Sequence, residues 1–210
     1  MVPSIYQTKW YNDGDNPMFP CPDGSTGGPC ERSEEDANML YDNKMLGVPR
    51  FRQLRVRNDS CEVHPLFQAS ITACYSDYEE AKEDKNPFGP GIRKFTSPDA
   101  WRYQSAKEIG GSEFWGKLKT YSGGGSVQNL HPEEQQTLAI IRELREFLWI
   151  DRATRIIIVD FTTYNANVNL FCVTKLVFEF PPTGGIIRSQ RWVSYIGEVV
   201  SSSSVLLVTK

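Results

Sequence analysis

Residues 51–57 alternate, with Leu54 and Val56 on one side and Gln53, Arg55 and Arg57 on the other, the pattern of a strand with one buried face. The clearest helical period runs over 132–149. Pro132 suits a first helical position, Glu133 and Glu134 favour the positive end of the helix dipole, and Ile140, Ile141, Leu144, Phe147 and Leu148 form an apolar stripe. Two β-rich runs follow, 155–164 and 168–180, joined by Asn165-Ala166-Asn167, residue types that tolerate left-handed turns. Pro181-Pro182 stops the second run, Gly184-Gly185 turns the chain, and 186–196 reads as another strand.

Elsewhere the pattern is weaker. A short helix is expected over 34–46, ended by Gly47 and Pro49, and another from Pro65 to about Cys74, with Leu66, Phe67, Ser70 and Ile71 at helical spacing. Residues 11–36 are dense in Pro, Gly, Asn and Asp and read as loop. Residues 75–131 interleave glycine clusters with Trp101, Tyr103, Phe114, Trp115 and Tyr121, which suggests hairpins and loops pinned by large side chains. Trp101, Trp115, Tyr121, Trp149 and Tyr164 are expected in the core, with a place at an interface as the alternative. No internal repeat is present. The fold class predicted is α+β, with a short, mainly antiparallel sheet.

Composition narrows the function. In 210 residues, 23 Lys and Arg face 26 Asp and Glu, a formal net charge of −3. That balance argues against a nucleic-acid binder, which needs a basic face to displace phosphate counterions. No apolar stretch approaches the roughly 20 residues a bilayer demands. Of five cysteines, Cys21 and Cys30 bracket a Pro/Gly loop, Cys61 and Cys74 flank a short segment, and Cys172 lies in a β-rich run as a small buried hydrophobe. Asn58-Asp59-Ser60, the one N-x-[ST] sequon, directly precedes Cys61. The pair of signals fits an oxidising, extracytosolic compartment; five buried cytosolic thiols and a chance sequon fit the composition as well. The N-terminus has no apolar h-region, so an extracytosolic chain of this kind is expected to be a piece of something longer.

Catalytic and metal chemistry finds no support. Gly111 to Lys117 fits G-x-x-x-x-G-K, but Leu118 stands where magnesium needs Ser or Thr, and Phe114 and Trp115 are bulky where backbone amides must crowd a phosphate. His64 and His131 both precede a proline and read as residues at helix starts; Cys61-x-x-His64 lacks a second half of a zinc site. Asn12-Asp13-Gly14-Asp15 lacks the alternating ligands and distal Glu of a calcium loop. Asp151, Arg152 and Arg155 read as a structural ion network. No G-x-S-x-G elbow is present. No catalytic residue, metal site or cofactor is assigned.

Seven separated blocks, in order, resemble the signature of the polycystins: MLGVPRFRQLRVRNDSC at 45–61, PFGP at 87–90, YSGGG at 121–125, WIDRATR at 149–155, DF at 160–161, YNANVNLF at 164–171 and EFPPTGG at 179–185. The resemblance implies the extracytosolic polycystin domain that lies between the first and second transmembrane helices of a calcium-permeable, nonselective cation channel subunit of the transient receptor potential type. It implies a sheet with helices on one face and protruding hairpins, in a domain that contacts other polycystin-family subunits, homo- or heterotetrameric, for assembly and gating. The family's disulfide and N-glycan map onto Cys61–Cys74 and Asn58. The expected location is the extracellular or luminal side of a ciliary, plasma or endoplasmic reticulum membrane, held there only through transmembrane helices that this chain lacks. Ser126-Val127 stands where channel-forming members carry an aromatic pair. The implied organisation is a loop-rich segment at 1–40, the polycystin domain at 41–195 and a divergent tail at 196–210. The chain would then be a fragment or truncated isoform without a pore. The alternative is a freestanding soluble module that binds a ligand or caps a channel without transport activity.

Overall fold

The strand read at 51–57 is the end of a much longer one. In the computed structural model, which describes residues 38–39, 43–89 and 98–196, strand β2 runs Asn43–Arg55, with the two-residue β1 (Asn38–Met39) paired against its start. The expected loop at 11–36, with Cys21 and Cys30, and the tail beyond 196 lie outside the described residues.

The helix expected over 34–46 is replaced, where described, by β1 and the first part of β2. Asn43 to Leu46 pair with Asn165 to Thr162, so cross-strand bonding overrides a weak local preference. Gly47, at φ +73°, and Pro49 do not stop a helix. They fill an irregularity where the register shifts between Leu46 and Arg50, and there a proline costs no ladder bond.

The remaining strands are β3 (Tyr103–Gln104), β4 (Phe114–Trp115), β5 (Thr120–Tyr121), β6 (Gly125–Asn129), β7 (Thr154–Asn165), β8 (Leu170–Glu179) and β9 (Ile187–Ile196). Six of the strands form an antiparallel sheet in the order β3-β6-β2-β7-β8-β9, and β4-β5 is a separate hairpin. The three C-terminal strands follow the sequence reading to within two residues at each end. The β7–β8 turn takes four residues, and its left-handed position is Asn169 (φ +51°), outside the Asn165-Ala166-Asn167 triplet.

Strand β7 is central and covered on both faces, which is why Ile156-Ile157-Ile158-Val159 is a continuous apolar run. Ile157 and Val159 pack with Trp101, Leu130, Trp149 and the buried stripe Ile140 and Leu144 of the long helix. Ile156 and Ile158 face the other way, onto Leu54, Val56, Tyr78, Phe114, Tyr121 and Val177. The sequence reading places the long helix at 132–149; the helix spans Glu134–Glu146. Both histidines act as expected at such starts: His131 Nδ1 accepts from Glu133 N at 3.0 Å, and His64 Nδ1 accepts from Leu66 N at 3.4 Å.

A one-turn helix, α1 (Ala106–Ile109), precedes the long helix, now α2; Ser105 and Glu108 close it with a capping box. Gly111 and Gly123 then bring two backbones together so closely that a side chain on either would strike the other's carbonyl. Trp101, Tyr121 and Trp149 are core residues as expected, whereas Trp115 is 69% exposed and Tyr164 is half-buried on the outer part of the hairpin. Cys172 is a free, half-buried thiol rather than a core residue.

Candidate functional site

The segment after β2 leaves the sheet without leaving its hydrogen bonds. Val56 bridges to Glu83, Arg57 N donates to Lys82 O at 3.0 Å, and Asp59 pairs with Cys74 as a parallel bridge. Cys61 and Cys74 are joined by a disulfide, with their Cα atoms 5.3 Å apart, so they are not available as metal ligands. Among the described residues, no group of three or more His, Cys, Asp and Glu side chains is placed to hold a metal ion.

The loop closed by this bridge contains a 3-10 turn, Pro65–Phe67, in place of the helix expected to Cys74. Leu66, Phe67 and Ile71 are 81%, 55% and 44% exposed, so the apolar spacing that suggested a helix has no core to face. Without burial, so short a helix is not stable. The result is a covalently closed loop carrying three exposed apolar side chains.

One buried guanidinium secures the base of that loop. Arg155, at the start of β7, donates from Nε to Ser76 O (2.7 Å), from Nη2 to Tyr75 O (3.0 Å) and from Nη1 to Arg152 O (3.0 Å) and Thr154 O (2.7 Å). Burial lowers its pKa below the ordinary arginine value, with nearby acidic groups opposing that shift. Asp151, which the sequence grouped with Arg152 and Arg155, instead forms a bidentate pair with Arg55 at 2.9 Å. Arg55 also lies 3.8 Å over the Phe88 ring, and Arg152 lies 5.4 Å over Tyr75. This is a structural network, as expected, but with different partners.

The G-x-x-x-x-G-K segment does hold an anion, one belonging to the chain itself. The fully buried Glu179 accepts from Lys117 N at 2.8 Å, Leu118 N at 2.9 Å and Tyr121 Oη at 3.0 Å. Gly116 is required there, because a side chain would run into the Glu179 carboxylate and the Tyr121 ring. Desolvation, and then the Glu179 charge, push the Tyr121 hydroxyl strongly up, so it remains a donor. A phosphate has no place in this loop.

A second buried carboxyl, Glu83, accepts from Ser122 Oγ at 2.8 Å and Tyr103 Oη at 3.3 Å, with Lys85 Nζ at 3.8 Å. Burial pushes Glu83 above the usual carboxylate range, and burial together with Glu83 pushes Tyr103 up to about 12. The Ser122 hydroxyl beside Glu83 is engaged as a donor to it, so this is a buried hydrogen-bond cluster joining three segments of the chain. A polar groove of about 350 Å³ is lined among others by Arg57, Asn58, Asp59, Tyr75, Asp84 and Asn86.

Asn58 is exposed on the rim of that groove, next to the disulfide, whereas Ser60 of the same sequon is 7% exposed. The structure thus brings together the three residues singled out in the sequence, Asn58, Cys61 and Cys74. Ser60 is read in the sequence only as part of the sequon and Arg155 only as a member of an ion network; their roles in holding this loop are not legible there. Their partners are 16 and 79 residues away for Ser76–Ser60 and Arg155–Ser76, beyond any local pattern.

Residues 25–195 match the family model described as the polycystin domain. Human polycystin-2-like protein 1 is 45% identical over 189 residues, which cover 90% of this chain and 21% of that protein. Polycystin-2 of Danio rerio is 40% identical over 188 residues, covering 90% of this chain and 18% of its own length. Polycystin-2 of Caenorhabditis elegans is 41% identical over 200 residues, covering 93% and 24%. The chain spans no more than about a quarter of any of these three relatives.

Proposed function

The chain belongs to the polycystin domain family, and from that premise we propose that it is the extracytosolic domain of a calcium-permeable, nonselective cation channel subunit. The family is one of channel domains and is not enzymatic. The domain's work is to contact neighbouring subunits, helping the channel assemble and setting how readily it opens. The observation that carries this reading is the match over residues 25–195 to a domain that forms a minor part of its relatives.

The geometry supports it in two ways. Asn58, exposed beside the Cys61–Cys74 bridge, suits an N-glycan on an extracellular or luminal face. Leu66, Phe67 and Ile71 are displayed on a loop that the bridge and Arg155 hold in place. Apolar side chains fixed in position lose little entropy on docking, which suits a contact between subunits. Among the described residues, no helix is long and apolar enough to cross a membrane. In this reading the domain is anchored by other parts of the parent subunit.

The test is a chimera in which residues 25–195 replace the corresponding domain of a polycystin-2-like relative, expressed in cultured cells. The expected result is tetramers on native gels and cation current at the surface. Phe67→Asp and Leu66→Asp are expected to weaken assembly while leaving the secreted domain folded. A folded domain in a chimera that never assembles would refute the proposal, as would full assembly of both aspartate variants.

A further inference from the structure

The sequon sits where folding hides it. Asn58 is exposed, but its carbonyl accepts from Cys74 N at 2.7 Å, and Asp59 pairs with Cys74. Ser60 Oγ accepts from Ser76 N at 2.9 Å and donates to Cys74 O at 3.3 Å. Arg155 fixes the opposing segment through Tyr75 O and Ser76 O, and the disulfide closes it covalently. The two ends of the Asn-x-Ser signal are therefore in different states, the acceptor outside and the hydroxyl engaged.

Glycan transfer needs both. In that step Asn58 Nδ2 bonds to C1 of the first sugar of a lipid-diphosphate-linked oligosaccharide. The C1–O bond to the diphosphate breaks, the diphosphate leaves with the electron pair, and one amide proton passes to base. The transferring enzyme grips the sequon as an extended segment, through the Ser hydroxyl. A sequon paired along its length with Cys74 to Ser76 cannot enter such a grip.

Resting on the extracytosolic reading above, we propose that N-glycosylation of Asn58 and native closure of the Cys61–Cys74 segment are mutually exclusive in time: the glycan is added before the bridge closes, or not at all. The window is set by synthesis. Ser76 follows Ser60 by 16 residues, about 1–3 s at ordinary translation rates. Arg155, which locks the pairing, follows Ser76 by 79 residues, roughly 4–16 s. Folding speed and the redox state of the compartment thus set how many copies carry the glycan. Once attached, the glycan is compatible with the fold, because Asn58 is an exposed residue at a groove open to solvent.

Two measurements test this. In cells, the 210-residue chain is expressed behind a secretory leader as wild type and as the Cys61→Ser/Cys74→Ser double variant, and occupancy at Asn58 is read by intact mass and peptide mapping. Partial occupancy is expected in the wild type, with every unglycosylated copy bridged, and near-complete occupancy in the double variant. In vitro, the folded, bridged, unglycosylated wild type is offered to purified transferase with lipid-linked oligosaccharide. It should react roughly 10³-fold or more slowly than the same chain reduced and unfolded, in line with the rarity of the open state. A misfolded double variant does not affect this second arm. Equal rates in vitro, or equal partial occupancy in cells, would overturn the competition while leaving the compartment reading intact. No glycan on either form in cells would overturn both.

Discussion

Glu179 offers the sharpest test of how the domain is held together. Its carboxylate, fully buried at the end of β8, accepts from two backbone amides and one phenol. Glu179→Ala leaves three donors without an acceptor, and each buried donor so abandoned costs about 1–3 kcal/mol. Lys117 and Leu118 are themselves exposed, so part of that loss is recovered from water, and a net cost of about 3–5 kcal/mol is expected. Glu179→Gln keeps the shape and one acceptor oxygen, but its NH₂ group meets an N–H donor head-on, for about 2 kcal/mol. Tyr121→Phe removes only one of the three bonds and costs about 1 kcal/mol. Urea unfolding of the purified chain, followed by tryptophan fluorescence, reads all three; at 2–4 °C per kcal/mol the alanine variant should melt about 6–20 °C lower. The reasoning fails if the order Ala, Gln, Phe is not kept, or if the alanine variant lies within about 1 kcal/mol of wild type.

Removing the bridge with Cys61→Ser/Cys74→Ser should cost about 3 kcal/mol, for a loop with a sequence separation of 13, seen as a lower urea midpoint. Leu148, 69% exposed and held at φ +55° after α2, should gain about 0.5–1 kcal/mol as Leu148→Gly, read as a higher Tm. Glu83 has its folded pKa raised by burial above the unfolded value, so its neutral form is the one that favours the fold. Its contribution is complete below the ordinary carboxylate range and is lost as pH rises through the raised value; wild type should therefore lose stability relative to Glu83→Gln on going from acid to neutral pH. Parallel urea midpoints for the two proteins across that range would show the idea to be wrong.

The parts of the fold legible in the sequence are those where one local rule suffices. The runs that become β7, β8 and β9 are β-branched and bounded by Asn, Pro and Gly, and α2 shows a helical stripe above a proline start. The misreadings lie where a distant partner decides. Asn43 to Leu46 are strand because β7 pairs with them from more than a hundred residues away. Pro65 to Cys74 is not helix because nothing covers its apolar stripe. The site divides in the same way. A sequon next to a cysteine is a local signal that marks Asn58 and Cys61, whereas the pairing of Cys61 with Cys74 comes from the family resemblance. The burial of Ser60 and the grip of Arg155 depend on strands that meet only in the folded chain.

The residues of the sequence motifs and the exposed loop residues have different jobs, and the geometry separates them. Arg52 donates to Ser122 O at 2.8 Å and Gly124 O at 3.1 Å, Arg55 grips Asp151, and Arg155 holds Tyr75 and Ser76. All three arginines are buried, and each fastens a loop to the sheet. None offers charge to a partner. Gln53, likewise buried, donates to Trp149 O at 2.7 Å, tying β2 to the turn after α2. The RQLRVR and WIDRATR blocks are thus fasteners, and under the proposed function recognition falls to exposed apolar side chains, among them Leu66, Phe67 and Ile71 on the loop that Arg155 holds. Two classes of substitution should follow. Arg155→Met leaves Tyr75 O and Ser76 O without their donor and should lower the unfolding free energy of the isolated chain, read from urea titration, by about 2–4 kcal/mol. Phe67→Asp should leave that free energy within about 0.5 kcal/mol of wild type while weakening subunit association. Were Phe67→Asp to unfold the domain, or Arg155→Met to impair association without loss of stability, the division between fastening and recognition would be wrong.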